Sequence, residues 1–120
     1  MADFTFAHRE EGFDEHIEKS IRGYSQLISD VVSLSRHFIE DDTSVVDIGC
    51  STGKMTQRLL EENKDHCSGA SYVGVEIAEG FFKDLDDRYK DITKNNPWAE
   101  VNFIKDDIRN YKFENCSLVT

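Results

Sequence analysis

Residues 45–53 read VVDIGCSTG, and this stretch decides the fold. The β-branched start predicts a buried strand, and two glycines spaced by four lead into a helical pattern that begins at Lys54. Gly49 allows the backbone to approach a ligand closely and tolerates positive φ. Ser51 occupies the place of the second glycine in the dinucleotide fingerprint G-x-G-x-x-G. The stretch therefore predicts a ligand-binding turn between a strand and a helix, or else an ordinary strand–turn–helix unit.

Two further apolar runs also end in acids. Residues 71–76 end in Glu76, and residues 101–108 include Asp107, with Asp106 as the alternative position. Such runs, alternating with helical segments, predict parallel βαβ units. Because ligands of open α/β sheets bind beyond the carboxyl ends of the strands, these acids are candidate ligand contacts.

Apolar residues at helical spacing predict four helices, over residues 13–22, 24–39, 54–63 and 80–92. Gly23 separates the first two, and either Ser51 or Thr52 is available to cap the third. The apolar side chains of these helices are expected to face the core, among them Leu27, Leu34, Phe38 and Tyr89.

Composition limits the protein class. The chain has 120 residues, of which 38% are hydrophobic, enough for one domain with one core. No apolar run reaches the roughly 20 residues that cross a bilayer, and the N-terminus lacks a secretory pattern. Three cysteines without C-x-x-C spacing predict neither a disulfide framework nor a metal site. These features predict a cytoplasmic protein without a membrane partner.

The charge balance argues against nucleic acid as a direct partner. The chain carries 24 acidic and 14 basic residues, a formal net charge of −10. Such a surface repels phosphate backbones, and most of the acids are expected to serve solubility.

Several motifs together carry a resemblance to a known family. They are F-T-F at residues 4–6, F-D-E-H-I at 13–17, S-I-R-G-Y-S at 20–25, V-D-I-G-C-S at 46–51 and D-I-R at 107–109. The chain resembles the carboxy-S-adenosylmethionine synthases, of the class I S-adenosylmethionine (SAM) methyltransferase superfamily, over almost its whole length. Residues 47–53 fit D-x-G-x-x-x-G, the first motif of that superfamily. One departure is Arg22, where the family usually has proline, although Gly23 still breaks the helix there.

The resemblance implies a Rossmann-like α/β class I SAM-methyltransferase fold, a parallel sheet flanked by helices with strand order 3-2-1-4. Residues 1–42 would form an N-terminal helical segment covering the cofactor site, and residues 43–120 a partial SAM-binding domain. The fourth apolar run, residues 117–120, stops just as its strand begins. We expect either the N-terminal half of a longer protein, or a short protein whose open sheet edge is covered by self-association or by a partner.

The resemblance also implies a cofactor-binding set. Its tyrosine and first acid contact the methionine part of SAM, and the glycine turn passes under it. The second acid and its neighbour contact the ribose and the adenine, and the third pair contacts the adenine edge. These positions are Tyr24, Asp47, Gly49, Cys50, Ser51, Glu76, Ile77, Asp107 and Ile108.

Simpler structural roles stay open for the same residues. Asp47 could cap the following helix, and Glu76 and Asp107 could be solvated surface acids. Tyr24 could be a core residue at the start of its helix. Cys50 is expected to be a packed residue rather than a nucleophile, because no basic partner is suggested nearby.

The implied reaction is carboxyl transfer from prephenate to SAM, giving carboxy-SAM and phenylpyruvate, which supports tRNA wobble uridine modification by a separate enzyme. SAM, S-adenosylhomocysteine or carboxy-SAM is the expected ligand. The chain stops before the family's substrate-binding arginine, and Arg22 or Arg109 could in principle hold a dianionic substrate. A conventional small-molecule methyltransferase and a non-catalytic SAM-binding module remain alternatives. No catalytic residue is assigned.

Overall fold

The computed structural model describes residues 12–120, and the F-T-F motif at residues 4–6 lies outside them. The described fold contains one sheet of four strands in the spatial order β3-β2-β1-β4, with each neighbouring pair parallel. This is the predicted order. The strands are β1 (Ser44–Ile48), β2 (Ser71–Glu76), β3 (Glu100–Lys105) and β4 (Cys116–Val119).

The four helices are α1 (Phe13–Ser20), α2 (Tyr24–Ser35), α3 (Lys54–Asn63) and α4 (Phe82–Asn95). The predicted bounds of α3 are confirmed. α2 ends before the predicted residue 39, and the Ser35 hydroxyl donates there to the carbonyl of Val32. A serine hydroxyl bonded to the backbone competes with continuation of the helix.

α4 differs from its prediction at both ends. A short 3₁₀ turn, Glu79–Phe81, precedes it, and the helix continues to Asn95 rather than ending at residue 92. Asn96 is the first non-helical residue and stands directly before Pro97. The proline ring disfavours the helical conformation of the residue before it, which explains where the helix stops.

The main core lies where one face of β1, β2 and β3 meets α2, α3 and α4. Val45, Tyr72 and Val101 are aligned across the three strands and are buried. Because the register aligns these positions, the carboxyl ends of the three strands reach the same edge of the sheet. The helices cover them with buried side chains: Val32, Leu59, Leu60 and Ile92.

The buried stripe of α2 is narrower than the apolar stripe in its sequence. Val32 and Ser35 are buried and Ile28 packs against the core. Leu27 and Leu34 are each 57% exposed, so the prediction that they face the core is wrong. The same correction applies to Phe38 and Tyr89, which are also exposed. Leu27, Leu34 and Tyr89 lie on the exposed faces of α2 and α4, and Phe38 lies beyond the end of α2 at Ser35.

Gly53, rather than Ser51 or Thr52, is the N-cap residue of α3, so that capping prediction is wrong. Gly53 has φ +78°, and a Cβ there would lie 2.9 Å from the Phe103 ring and 3.0 Å from Leu85. Both the left-handed backbone and the close contact between helix and strand therefore require glycine.

Gly74→Ala is expected to lower the free energy of unfolding by about 1–3 kcal/mol, because the new methyl group overpacks the core. Its Cβ would lie 2.7 Å from the Phe103 ring and 2.8 Å from the Cys50 sulfur. Urea unfolding measures the change. In a Phe103→Ala background the same substitution should cost less, and an equal cost in both backgrounds would contradict this explanation.

Candidate functional site

The turn after β1 is fixed to the end of β2 by its own backbone. The N–H groups of Gly49 and Cys50 donate to the carbonyl of Val75 at 2.8 and 3.1 Å. The Ser51 N–H donates to Glu76 Oε1 at 2.8 Å. Gly49 and Ser51 both have positive φ, of 63° and 53°. Residues 49–51 therefore present their backbone at the carboxyl edge of the sheet, as the motif predicts.

Glu76 is a buried structural acid, and the alternative that it is a solvated surface residue is wrong. The residue is only 6% exposed. Its Oε1 accepts from Ser51 N–H at 2.8 Å, and its Oε2 accepts from Ala78 N–H at 2.9 Å. A carboxylate has about four acceptor positions, so each oxygen retains one for a further donor.

A cavity of about 230 Å³ lies between α1, α2 and the glycine turn. Five of the nine predicted cofactor-binding residues line it: Tyr24, Asp47, Gly49, Cys50 and Ser51. The other four predicted residues, Glu76, Ile77, Asp107 and Ile108, do not line it. They lie at or just beyond the ends of β2 and β3, which pair through Glu76 and Lys105. The predicted set is therefore divided between a cavity and the adjoining strand ends.

Asp47 places a buried carboxylate in the cavity wall. Its Oδ2 accepts from the Thr56 hydroxyl at 2.8 Å and its Oδ1 from the Thr120 hydroxyl at 3.4 Å. Burial raises the pKa of Asp47 to about 6, although hydrogen bonds from Thr56 and Thr120 oppose the rise. Because Thr56 is in the first turn of α3, Asp47 also ties that helix to β1, which agrees with the capping alternative.

Cys50 and Tyr24 contribute neutral groups to the cavity. Burial, with Asp47 and Glu76 nearby, raises the pKa of the Cys50 thiol far above its usual range. Its side chain belongs to a small apolar cluster with Phe81, so the packed role is supported over a nucleophilic one. Burial, and then Asp14, raise the pKa of Tyr24, whose hydroxyl therefore remains a hydrogen-bond donor.

The end of β3 carries a pre-formed acid pair. Asp106 Oδ1 accepts from the Asp107 N–H at 2.8 Å. Asp107 accepts from the Arg109 N–H at 2.9 Å and from Arg109 Nε at 3.0 Å. These bonds lower the pKa of Asp107 to about 2. Arg109 thus pairs with Asp107 while its side chain is 85% exposed, and its role in holding a dianionic substrate stays a prediction.

α1 lies over the cavity, where Phe13 packs edge-to-face against Phe81 with ring centroids 5.2 Å apart, and polar contacts add to this packing because none of its side chains is fully buried. The Thr52 hydroxyl donates to both oxygens of Asp14, at 2.7 and 2.9 Å, and Arg88 lies 3.6 Å from the same carboxylate. Lys54 pairs with Glu18 at 2.6 Å. The end of the glycine turn and the first residue of α3 therefore hold the helix above the cavity.

A methyltransferase domain family matches residues 45–120. This chain belongs to the methyltransferase domain family. The match begins in β1 and includes the glycine turn, Glu76 and Asp107, so eight of the nine predicted cofactor-binding residues lie within the matched domain and Tyr24 lies before it.

Curated relatives confirm the resemblance to the carboxy-SAM synthases. The carboxy-S-adenosyl-L-methionine synthase of Cronobacter sakazakii is 34% identical, over 99% of this chain and 47% of the relative. The synthase of Vibrio vulnificus is 32% identical with the same coverage. The chain therefore spans about half the length of the curated relatives it matches.

Solved structures confirm the fold class. A Methanococcus maripaludis structure described as an S-adenosyl-L-methionine-dependent methyltransferase superimposes with a TM-score of 0.62 at 15% identity, covering 99% of this chain and 52% of that chain. The predicted Rossmann-like class I fold is confirmed. Within residues 12–120, no helix has the length and apolar character that crossing a membrane requires. The same residues contain no cluster of three His, Cys, Asp or Glu side chains able to hold a metal ion.

Sequence reasoning missed the residues by which this methyltransferase domain closes its cavity. Asp14 stands in the F-D-E-H-I motif, but nothing in the sequence connects it with Thr52, 38 positions later. Arg58 also lines the cavity and was given no role. The spacing of Lys54, Met55 and Arg58 marks one face of α3, and that pattern could have identified it.

Asp14→Ala is expected to loosen α1. The loss of a charged hydrogen-bond partner lowers the free energy of local unfolding by about 1–2 kcal/mol, which corresponds to about 5–30-fold faster amide exchange in residues 13–20. Hydrogen exchange read by mass spectrometry measures this change. Glu15→Ala is the control, because the one ionic partner of Glu15 within residues 12–120 is Lys19, on the surface of the same helix. Equal acceleration in both variants would contradict the specific role of Asp14.

Proposed function

We propose that this chain binds SAM with the methionyl group in the cavity and the nucleoside across the ends of β2 and β3. The observation that carries the proposal is the glycine turn, whose Ser51 N–H is bonded to Glu76 beside a cavity that contains Asp47. In residues 12–120, no Lys, Arg or His nitrogen lies within 4 Å of the Asp47 carboxylate. A buried carboxylate without a cationic partner fits the ammonium group of an amino-acid ligand.

Each strand end fits a part of the nucleoside. Glu76 retains acceptor positions for the two ribose hydroxyls, although its carboxylate is already bonded to the turn. Ile77 is 63% exposed directly after β2, and its apolar side chain suits the face of an adenine ring. Asp107 would accept from the exocyclic amine, and the Ile108 N–H would donate to the ring. Tyr24 would contact the methionyl group from α2.

The reaction supported best is that of the carboxy-SAM synthases: carboxyl transfer from prephenate to SAM, in support of tRNA wobble uridine modification. The similarity to relatives of that name over 99% of the chain supports it. When bound, SAM would supply the accepting carbon, the S-methyl group beside its sulfonium, and the described residues would hold and orient it. A conventional small-molecule methyltransferase is the second candidate, favoured by the methyltransferase domain match.

Calorimetry with the purified chain and SAM, S-adenosylhomocysteine and carboxy-SAM tests the binding proposal. Binding of SAM with one site per chain is expected. Incubation with SAM and prephenate, followed by mass spectrometry of the nucleosides, tests the reaction. Carboxy-SAM that appears only with prephenate supports the synthase, and a methylated acceptor supports the second candidate. Binding without turnover would leave a SAM-binding module, and no binding would contradict the proposal.

A further inference from the structure

We infer that Arg58 is the carboxylate-binding residue of the cavity, an inference that rests on the proposed SAM-binding function. Arg58 lies on α3 and lines the cavity beside Ser25 and Ser29 of α2. Its only hydrogen-bond partner in the described residues is the Ser29 hydroxyl, at 3.4 Å. No carboxylate in residues 12–120 lies within 4 Å of its guanidinium.

Arg58 differs from most other arginines of the described residues because it has no acidic partner among them. Arg36, Arg88 and Arg109 each pair with a carboxylate of the described chain, and Arg22 is exposed and lies outside the cavity. A chain with 24 acids and 14 basic residues has acids in excess, so a partly buried arginine without one is unexpected. Burial of a charge is costly unless the charge is paired, so the site favours an anion.

The chemistry of the side chain selects a carboxylate. Guanidinium presents several N–H donors in a planar arrangement that matches the two oxygens of a carboxylate. Lys54, the other cationic residue in the cavity wall, is occupied by Glu18 at 2.6 Å. Ser25 and Ser29 add hydroxyl donors on the facing helix. Arg58 is therefore the available anion-binding group of this cavity among the described residues.

The cavity pairs this cation with an acid. Asp47 lines the same cavity and offers a buried carboxylate. An α-amino acid carries an ammonium and a carboxylate on one carbon, so a cavity with Asp47 and Arg58 in its wall complements both charges. The carboxylate is therefore assigned to the amino-acid end of SAM. An acidic second substrate is the other source of the same group.

Removal of the carboxylate from the ligand tests the assignment. Calorimetry compares SAM with decarboxylated SAM, on the unmodified chain and on the Arg58→Gln variant. The unmodified chain should bind SAM about 10–100-fold more tightly than decarboxylated SAM. Arg58→Gln should weaken the binding of SAM by about the same factor. The affinity for decarboxylated SAM should change by less than about twofold, because only SAM carries the carboxylate that Arg58 binds.

Controls separate this effect from net charge and from folding. Arg36→Gln makes the same charge change on a residue outside the cavity and should leave both ligands unchanged. Arg58→Lys keeps the charge but loses the planar donors, and an intermediate loss of SAM affinity is expected. If Arg58→Gln does not fold, by thermal melting, the lysine variant carries the test with the same pair of ligands.

Each result has a defined meaning. Equal weakening of both ligands by Arg58→Gln would overturn the inference, because Arg58 would then act through the fold. Unchanged SAM affinity together with weaker binding of prephenate would keep Arg58 as a carboxylate-binding residue and assign it to the second substrate. Unchanged binding of both SAM and prephenate would overturn it. If the unmodified chain binds no SAM, the proposed function fails, and the prephenate comparison alone then decides the role of Arg58.

Discussion

Asp47→Asn is expected to make the ligand-free protein more stable at pH 8 while removing most of its affinity for SAM. Burial raises the pKa of Asp47 from 3.8 to about 6, so the folded state holds an ionised carboxylate at an energetic cost. Asparagine keeps a carbonyl oxygen for the Thr56 hydroxyl and can donate to Thr120. The substitution therefore removes the buried charge and can retain both contacts.

The sign of the pH dependence follows from proton binding. Between pH 4 and pH 6 the folded state retains a proton on Asp47 that the unfolded state has lost. The free energy of unfolding therefore falls as the pH rises through this window, by about 3 kcal/mol in total for this residue. The stability of the Asp47→Asn variant does not fall in this way, because asparagine does not ionise. Its free energy of unfolding should equal that of the unmodified protein near pH 4 and exceed it by about 1–3 kcal/mol at pH 8.

Urea unfolding at pH 4.5 and pH 8 measures the stability change, with Asp65→Asn as the control because Asp65 is an exposed acid. Calorimetry at pH 8 should show about 10–100-fold weaker SAM binding for Asp47→Asn, since a charge-assisted bond to the ligand ammonium is lost. For the unmodified protein, SAM affinity should rise as Asp47 ionises around pH 6. A variant less stable at pH 8 with unchanged SAM affinity would assign Asp47 a purely structural role.

The sequence predicted the position of the site better than its internal contacts. Parallel βαβ units bring the carboxyl ends of neighbouring strands to one edge, so the acid ending β2 could be placed beside the glycine turn from order alone. The sequence did not show which groups donate hydrogen bonds to this acid. Glu76 accepts from Ser51, 25 positions earlier, and from Ala78, and both bonds depend on the conformation of two loops.

The sequence also could not show which side chains of each helix are buried. Periodicity marks an apolar face but does not show how much of it another element covers. Leu27 and Leu34 have the spacing of core residues and are exposed, because α2 contacts the fold along a narrower stripe. Asp14 and Arg58 acquire their roles only when α1 and α2 pack against the start of α3. Polar contacts of this kind leave no periodic signal in the sequence.

Glu76→Gln is expected to lower the free energy of unfolding more than any surface substitution. Glu76 is buried, and both of its carboxylate oxygens accept hydrogen bonds from backbone N–H groups. Ser51 and Ala78 donate to them at 2.8 and 2.9 Å. Glutamine supplies one carbonyl oxygen, and its NH₂ group would face the second N–H, donor against donor. One unsatisfied buried N–H and one weakened hydrogen bond predict a loss of about 2–4 kcal/mol in the free energy of unfolding.

The control for this substitution is Glu79→Gln. Glu79 is an exposed acid three positions away whose partner is Lys105, at 3.2 Å. Exposed ion pairs contribute about 0–1 kcal/mol, so the control should stay close to the unmodified protein in urea unfolding. Hydrogen exchange should show faster exchange of the Ser51 amide or the Ala78 amide in Glu76→Gln and of neither amide in the control. Equal losses for the two variants would contradict a structural role specific to Glu76.

A second ligand comparison separates the role of Glu76 in the turn from its proposed role at the ribose. Adenosine and 2′-deoxyadenosine differ by one hydroxyl, and the unmodified protein should bind adenosine more tightly by about 5–10-fold, one hydrogen bond. Glu76→Asp keeps the charge but is shorter by one methylene group, so it cannot reach all four donors at once. If Glu76 binds the ribose, this variant should lose the discrimination between the two nucleosides. Discrimination that survives in a destabilised Glu76→Asp variant would leave Glu76 as a residue of the turn and place the ribose contact elsewhere.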